Sequence, residues 1–419
     1  MPTQEKRAER TFVYVTFLFF IWGAVTSIND VLIPAVRSIF SLSVTEGLLT
    51  QFAFFLAYGL VSLPASGLVA RLGPSRSITL ALGTMVIGCL LMPVATSLRA
   101  YWIVLVALFV IAAGITLLQL AANPLSAALG KPEKSHFRLT LSQAFNSLGT
   151  LIAPPLAAFA LLRGGIFAGG TPTEAKIADS LSRIDIAYVL IAAIIVGLAI
   201  FLSRQRDSIN RAIPPAVAGQ ESVMQALRSR WAVFGACAIF LYVGAEVSIG
   251  SIIINFLERA DILGVSAARG GQLIMFYWGG AMVGRFIGSA LLTRFSAGRL
   301  LSVAACIAAV LCLTVTQLVA APAAIAMLSI GLFNAIMFPT IFSLTLERSN
   351  AAPAATAGLL CTAVVGGAFV PLLFGHVADG YGLSVAFLVP AAAYVVIAVF
   401  GIAAARTRPV SLVAAATVH

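Results

Sequence analysis

Asn29 and Asp30 stand inside an apolar run, FFIWGAVTSINDVLIP (Phe19–Pro34), that begins near Phe12 and meets no Lys or Arg until Arg37. A run of that length reads as a membrane-crossing helix, because about 20 residues at 1.5 Å rise span the hydrocarbon. A carboxylate there costs roughly 2.5–3.5 kcal/mol at the helix centre and less toward an end. Asp30 lies outward of the midpoint, yet an intramembrane acid still points to a water-filled cavity, a partner or a titrating role. More polar side chains recur in later apolar runs. Gln119 and Asn123 are four apart and share one helix face; Gln143 and Asn146 are three apart; Asn334 and a second acid, Glu246, follow. Amides both donate and accept hydrogen bonds. Sugar hydroxyls do the same, so a ring of Asn and Gln suits a neutral polyol better than an ion. The sequence therefore predicts Asn29, Gln119, Asn123, Gln143, Asn146 and Asn334 as substrate-binding residues. Asp30 and Glu246 are the predicted cation-coupling residues, with Arg285 a candidate partner for Glu246. The competing reading makes each amide interhelical glue, worth about 0.6 kcal/mol per bond. The recurrence of the amides favours a polar cavity.

The elements that must position these residues follow from composition. The 419 residues are 60% hydrophobic and only 10% charged, against about 25% charged in soluble domains; mean hydropathy is +1.03. Such a chain lies mostly in lipid, where only helices and closed barrels satisfy the backbone. Its apolar runs are long and continuous, which selects helices. Twelve spans are expected, at 12–36, 46–70, 76–97, 101–129, 138–162, 184–203, 231–257, 268–293, 298–319, 323–347, 353–377 and 384–405. The net charge of +11 does not signal nucleic acid. Most Lys and Arg fall in every second loop, which predicts cytoplasmic termini by the positive-inside rule.

The stretch from Arg204 to Arg230, with Arg-rich ends and Pro214-Pro215, reads as a cytoplasmic linker. It divides an N-terminal six-helix half, 1–203, from a C-terminal half, 231–419, with the linker at 204–230. Gly164 to Arg183 is the one long external loop. The five cysteines have no ligand-like spacing and read as small hydrophobes. No cleavable signal is expected, because the first apolar run is too long for one.

The halves resemble each other. Aligning Pro124 with Pro339 sets Gln119 opposite Asn334; Gly149 precedes Pro154 by the same five residues as Gly366 precedes Pro371; Gly23-Ala24 matches Gly244-Ala245. Such parallel repeats place substrate near the bilayer midplane. Mid-helix aromatics (Trp22, Phe145, Tyr242, Tyr277, Trp278) are mostly packing residues, with one or two expected to wall a sugar site. Trp102 and Trp231, at helix starts, read as interfacial anchors.

Several segments carry a family likeness: INDVLIP (Ile28–Pro34), QLAANP (Gln119–Pro124), HFRLTLSQAFNSLGT (His136–Thr150), FLYVGAEVSIGS (Phe240–Ser251), FYWGGAMVGRFIGS (Phe276–Ser289), FNAIMFPTIFSL (Phe333–Leu344) and GLLCTAVVGGAFVP (Gly358–Pro371). With them the chain resembles the major facilitator superfamily, and within it the fucose permease-like family and its bacterial glucose/galactose transporter branch. The resemblance implies twelve helices, alternating access and cation-coupled hexose uptake. Fucose permease has a Glu where this chain has Gln119, and that Glu and the Asp matching Asp30 are its key acids. The glucose/galactose branch is similar to this chain at Gln119 and Glu246, which favours glucose or galactose over fucose. The loop SGLVARLG (Ser66–Gly73) has Ala70 where many superfamily members have an Asp, so a gate built on that Asp is absent.

The expectation is an all-α membrane protein of twelve helices in two halves related by pseudo-two-fold symmetry, importing a hexose by cation symport. Protons are the expected cation and sodium the alternative. The protein is placed in the bacterial inner membrane, as a monomer in lipid with a sugar substrate, no nucleic acid, no metal and no cofactor. The competing functions are a drug/proton efflux antiporter, a symporter for another sugar such as N-acetylglucosamine or fucose, and a transport-dead sensor. No enzyme is expected, since no nucleophile–base pair or metal cluster stands among the buried polar residues and His136, His376 and His419 are scattered.

Overall fold

The computed structural model describes residues 2–39, 44–161, 173–212 and 223–410, with side chains for 8–27, 52–153, 173–207, 209–210, 225–266 and 269–410. These residues form helices, short 3-10 turns and connecting loops. The chain divides into two compact units, Met1–Gly130 with Phe145–Val217, and Lys131–Ala144 with Ala218–His419.

The first unit holds α1 (Pro2–Ile39), α2 (Val44–Ser97), α3 (Tyr101–Ala128), the later part of α4 (Ser135–Leu161), α5 (Glu174–Arg204) and the short α6 (Arg206–Ala212). α2 carries both the second and third predicted spans. Gly73 separates them with φ 74° and ψ 167°, a conformation open to a residue without Cβ. Pro74 then sets the φ of the next rod. α5 starts before the predicted 184, capped by the Thr173 hydroxyl, which accepts from the Lys176 N–H. Hydropathy marks the part of a helix that sits in lipid. The added turns are polar and are laced by the Arg183–Asp179 pair at 2.9 Å.

The second unit holds the start of α4, then α7 (Val223–Arg228), α8 (Arg230–Glu258), α9 (Ala267–Leu291), α10 (Ala297–Gln317), α11 (Ala320–Asn334), α12 (Met337–Arg348), α13 (Pro353–Thr362), α14 (Gly366–Tyr381), α15 (Leu383–Ala386) and α16 (Leu388–Arg406). Two predicted spans are interrupted midway. Span ten breaks at Ala335–Ile336 between α11 and α12, and span eleven at the 3-10 turn Ala363–Val365 between α13 and α14. Pro339 contributes to the first break, because it has no N–H for the carbonyl of Ala335 four residues earlier.

Nine helical stretches among the described residues are long and apolar enough to cross a membrane, and one of them, Phe52–Ser97, contains two spans. The more polar α4 and α9 complete a set of twelve. Inside lipid, apolar burial does not drive helices together, so small residues that let backbones approach do much of the work. A Cβ on Gly149 of α4 would fall on the Phe20 carbonyl of α1, and one on Gly366 of α14 would fall on the Phe240 carbonyl of α8. These glycines are the aligned pair of spans five and eleven, so each unit closes the same helix contact with the same residue type.

Candidate functional site

In the second unit, the break between α11 and α12 exposes chemistry that an unbroken helix would hide. Asn334 closes α11 and is fully buried. Its Nδ2 donates to the Tyr277 hydroxyl at 2.9 Å and, more weakly, to the Tyr394 hydroxyl at 3.4 Å. Its Oδ1 has no hydrogen-bond partner among the described residues. A buried acceptor in that state costs about 1–3 kcal/mol. An incoming hydroxyl would recover that cost. Tyr277 reaches Asn334 from α9 and packs edge-on against Trp278, ring centroids 5.0 Å apart.

Two turns further along α9, Arg285 grips the same break. Its Nε donates to the Ala335 carbonyl at 3.0 Å, and a terminal nitrogen lies 3.7 Å from Glu246 Oε1 on α8. That carboxylate oxygen also accepts from the Tyr242 hydroxyl at 2.8 Å. The Arg285 and Glu246 side chains are 15% and 16% exposed, so the pair is largely shielded and neither charge stands alone. Glu246 and Asn334, far apart in sequence, are thus both brought against α9. Asn255, further along α8, is exposed.

The first unit holds a counterpart. Gln119 of α3 donates from Nε2 to the Tyr58 hydroxyl of α2 at 2.6 Å, and both residues are buried. Gln119 aligns with Asn334, so an amide–tyrosine hydrogen bond recurs at the same place in each unit. Asn123, one turn along the same face, is fully buried. Asn146 of α4 donates from Nδ2 to the Phe19 carbonyl of α1 at 3.0 Å, beside Trp22, which packs on Phe19. Gln143 is buried and counts with the second unit, whereas Asn146, three residues later, counts with the first. Asn29 and Asp30 belong to α1, but their side chains lie outside the described residues.

Sequence reasoning misses Tyr58 and Tyr394 as partners of the amides. Tyr58 had a signal: it stands in span two as Tyr277 stands in span eight, each with a glycine within two residues. It also misses a polar cluster in the second unit at the C-terminal end of α12. There Glu347 accepts from Ser135 at 2.6 Å and faces His136 Nε2 at 3.3 Å, while His136 Nδ1 lies 2.7 Å from the Ser343 hydroxyl. Glu347 sits at the end of an apolar run, where hydropathy gives no reason to expect burial. Among the described residues no group of three His, Cys, Asp or Glu side chains could hold a metal.

Comparison with known proteins gives the arrangement its context. Residues 15–363 match the Major Facilitator Superfamily. A glucose/galactose transporter of Brucella abortus is 42% identical over 393 residues, which cover 94% of this chain and 93% of that one. The L-fucose-proton symporter of Escherichia coli is 30% identical over 410 residues, 93% and 92% of the two chains. A crystal structure of the E. coli fucose:proton symporter aligns with a TM-score of 0.84 at 26% identity, covering 96% of this chain and 100% of that one. Twelve spans, an amide–tyrosine device repeated in two units and likeness along nearly the whole length lead to one assignment: the chain belongs to the major facilitator superfamily, a family of membrane transporters rather than enzymes.

Proposed function

We propose that this protein imports a neutral hexose, glucose or galactose before fucose or N-acetylglucosamine, by proton symport through alternating access. The observation that carries this reading is the buried Oδ1 of Asn334, an acceptor with no described partner in a setting of neutral hydroxyls and amides. A sugar hydroxyl completes it, whereas a lipophilic cation without an N–H offers it no hydrogen bond. The names of the relatives support the same substrate class, since they are called glucose/galactose transporter and L-fucose-proton symporter.

In this reading Asn29, Gln119, Asn123, Gln143, Asn146 and Asn334 bind hydroxyls, and Asp30 and Glu246 couple transport to the cation. The tyrosines orient the amides: a fixed donor bond on one side of Gln119 or Asn334 leaves the other side set for the ligand. Glu246 is enclosed, with Arg285 and the Tyr242 hydroxyl beside it, so the arrival of a proton would alter its surroundings. The six-helix halves 1–203 and 231–419, joined by 204–230, would be the moving bodies. The protein would work as a monomer in the bacterial inner membrane, both termini cytoplasmic.

The test is uptake of a labelled hexose panel into proteoliposomes, with proton and sodium gradients imposed separately. Accumulation of glucose or galactose under an inward proton gradient is the expected result. Accumulation under sodium alone would replace the proton in the scheme. Export of lipophilic cations with no hexose movement under either gradient would refute the reading in favour of efflux.

A further inference from the structure

The carbonyl of Ala335 is released by the chemistry of Pro339, which has no N–H to offer four residues on. In an unbroken helix that carbonyl would be satisfied internally; in lipid an unsatisfied one costs several kcal/mol. Here Arg285 Nε takes it at 3.0 Å. The same guanidinium lies 3.7 Å from Glu246. Ala335 is the residue directly after Asn334, whose amide is held by Tyr277 from the same helix as Arg285. One helix, α9, therefore touches both the amide and the carbonyl at the break, and its arginine also touches the acid.

We propose that Arg285 is a positioning residue that transmits the charge of Glu246 to the break between α11 and α12, and so sets how Asn334 is presented to the sugar. This rests on the assignment of Asn334 to sugar binding and Glu246 to proton coupling. With Glu246 ionised, the guanidinium is divided between the carboxylate and the Ala335 carbonyl. A proton delivered from hydronium to the carboxylate neutralises it. The guanidinium then loses the pull of this carboxylate, and its hold on the Ala335 carbonyl dipole strengthens. The break is then held more firmly through the Arg285–Ala335 bond, with Asn334 oriented. Linkage is reciprocal, so a sugar that prefers the held geometry favours the protonated acid. The titratable or charged groups acting on Glu246 are Tyr242 on its own helix and Arg285 and Tyr277 on α9; the other helices packed on α8 bring it none among the described residues.

The test measures D-glucose and D-galactose affinity by calorimetry as a function of pH, on the full chain in nanodiscs. In the wild type, affinity falls by about 5- to 150-fold as pH rises through the Glu246 titration, the usual span of coupling between two sites. Arg285→Gln and Glu246→Gln each flatten that dependence to within about twofold, and the double variant is no flatter than either. Because Arg285→Gln can fail to fold, Pro339→Ala is the second arm. It returns an N–H to the Ala335 carbonyl, removes the need for Arg285 there, and is expected to bind sugar with a flat profile. A folded Arg285→Gln or Pro339→Ala protein that keeps the wild-type slope overturns the relay. The underlying assignment fails separately: a wild type whose affinity is already flat, Glu246→Gln with the full slope, or Asn334→Ala with unchanged affinity would remove it whatever Arg285 does.

Discussion

Asn334→Ala separates a ligand-binding amide from a structural one, because the two roles predict opposite pairs of outcomes. The substitution removes one good hydrogen bond, to Tyr277 at 2.9 Å, and one long one, to Tyr394 at 3.4 Å. At about 1 kcal/mol for the first and less for the second, the loss to stability is roughly 1–2 kcal/mol. It also removes the Oδ1 that lies buried without a described partner, whose presence costs about 1–3 kcal/mol. The two terms offset in part, but the buried Tyr277 and Tyr394 hydroxyls lose this partner, so the empty protein should lose no more than about 1–3 kcal/mol. Binding has no such offset. A sugar hydroxyl that paired with Oδ1 must enter a site with no acceptor, at a cost of about 1–3 kcal/mol, and Kd rises about 5- to 150-fold. Thermal unfolding of the empty protein and calorimetric sugar titration on the same sample check both halves. A large drop in Tm with affinity within twofold of the wild type would refute the reasoning and return Asn334 to the role of glue.

Other substitutions probe the scaffold. Gly149→Ala and Gly366→Ala each place a Cβ on a facing carbonyl, of Phe20 and Phe240 respectively; both should destabilise by about 1–3 kcal/mol, while Gly83→Ala and Gly197→Ala, which meet nothing within 4 Å, should not, as thermal unfolding in detergent will show. Arg348→Lys should lower stability by about 2 kcal/mol or more, since the guanidinium fork donates to the Ala404 carbonyl at 3.1 and 2.8 Å and to Thr407 at 3.3 Å, and an ammonium does not reproduce that fork. In the loop after α8, hydrogen bonding from Arg259 holds the Asp261 carboxyl below its ordinary value. A depressed folded value means that the stabilisation is full above the unfolded pKa and is lost as pH falls through the folded one. Asp261→Asn should therefore lose stability at neutral pH and merge with the wild type in acid, measured as Tm against pH.

The twelve spans were legible because lipid leaves little choice: runs of about 20 apolar residues must be helical. The turn at Gly73 was legible for a similar reason, since glycine followed by proline ends a rod. The breaks in spans ten and eleven were not. Pro124 and Pro339 align, yet α3 runs unbroken through Pro124, while the helix before Pro339 comes apart at Ala335. A proline in a membrane helix shows that one carbonyl loses its donor, but not whether the helix bends or breaks. That depends on a distant partner, here Arg285, and a local pattern cannot report it. In the same way the buried amides announced themselves by their cost in lipid. Tyr58 and Tyr394 carry no such cost signal, because tyrosine is at home in a core or an interface and its hydroxyl needs a partner in either place; Tyr58 is marked only by its match to Tyr277.

That difference in cost also bears on why amides, rather than charges, stand where the sugar is expected. A carrier must be stable with its site empty, since it returns empty in each cycle. A buried amide with one atom unsatisfied costs about 1–3 kcal/mol, tolerable against a total stability of roughly 5–15 kcal/mol. A buried unpaired ion costs several kcal/mol even after relaxation and would consume much of that margin. The second unit respects this limit. Among the described residues its unsatisfied side-chain atoms belong to neutral groups, Asn334, Thr140 and Thr340, whereas its acid, Glu246, is kept beside Arg285 and Tyr242. In the proposed scheme sugar and proton act on the same helix break without sharing an atom, and among the described residues the second unit leaves no bare charge beside Asn334.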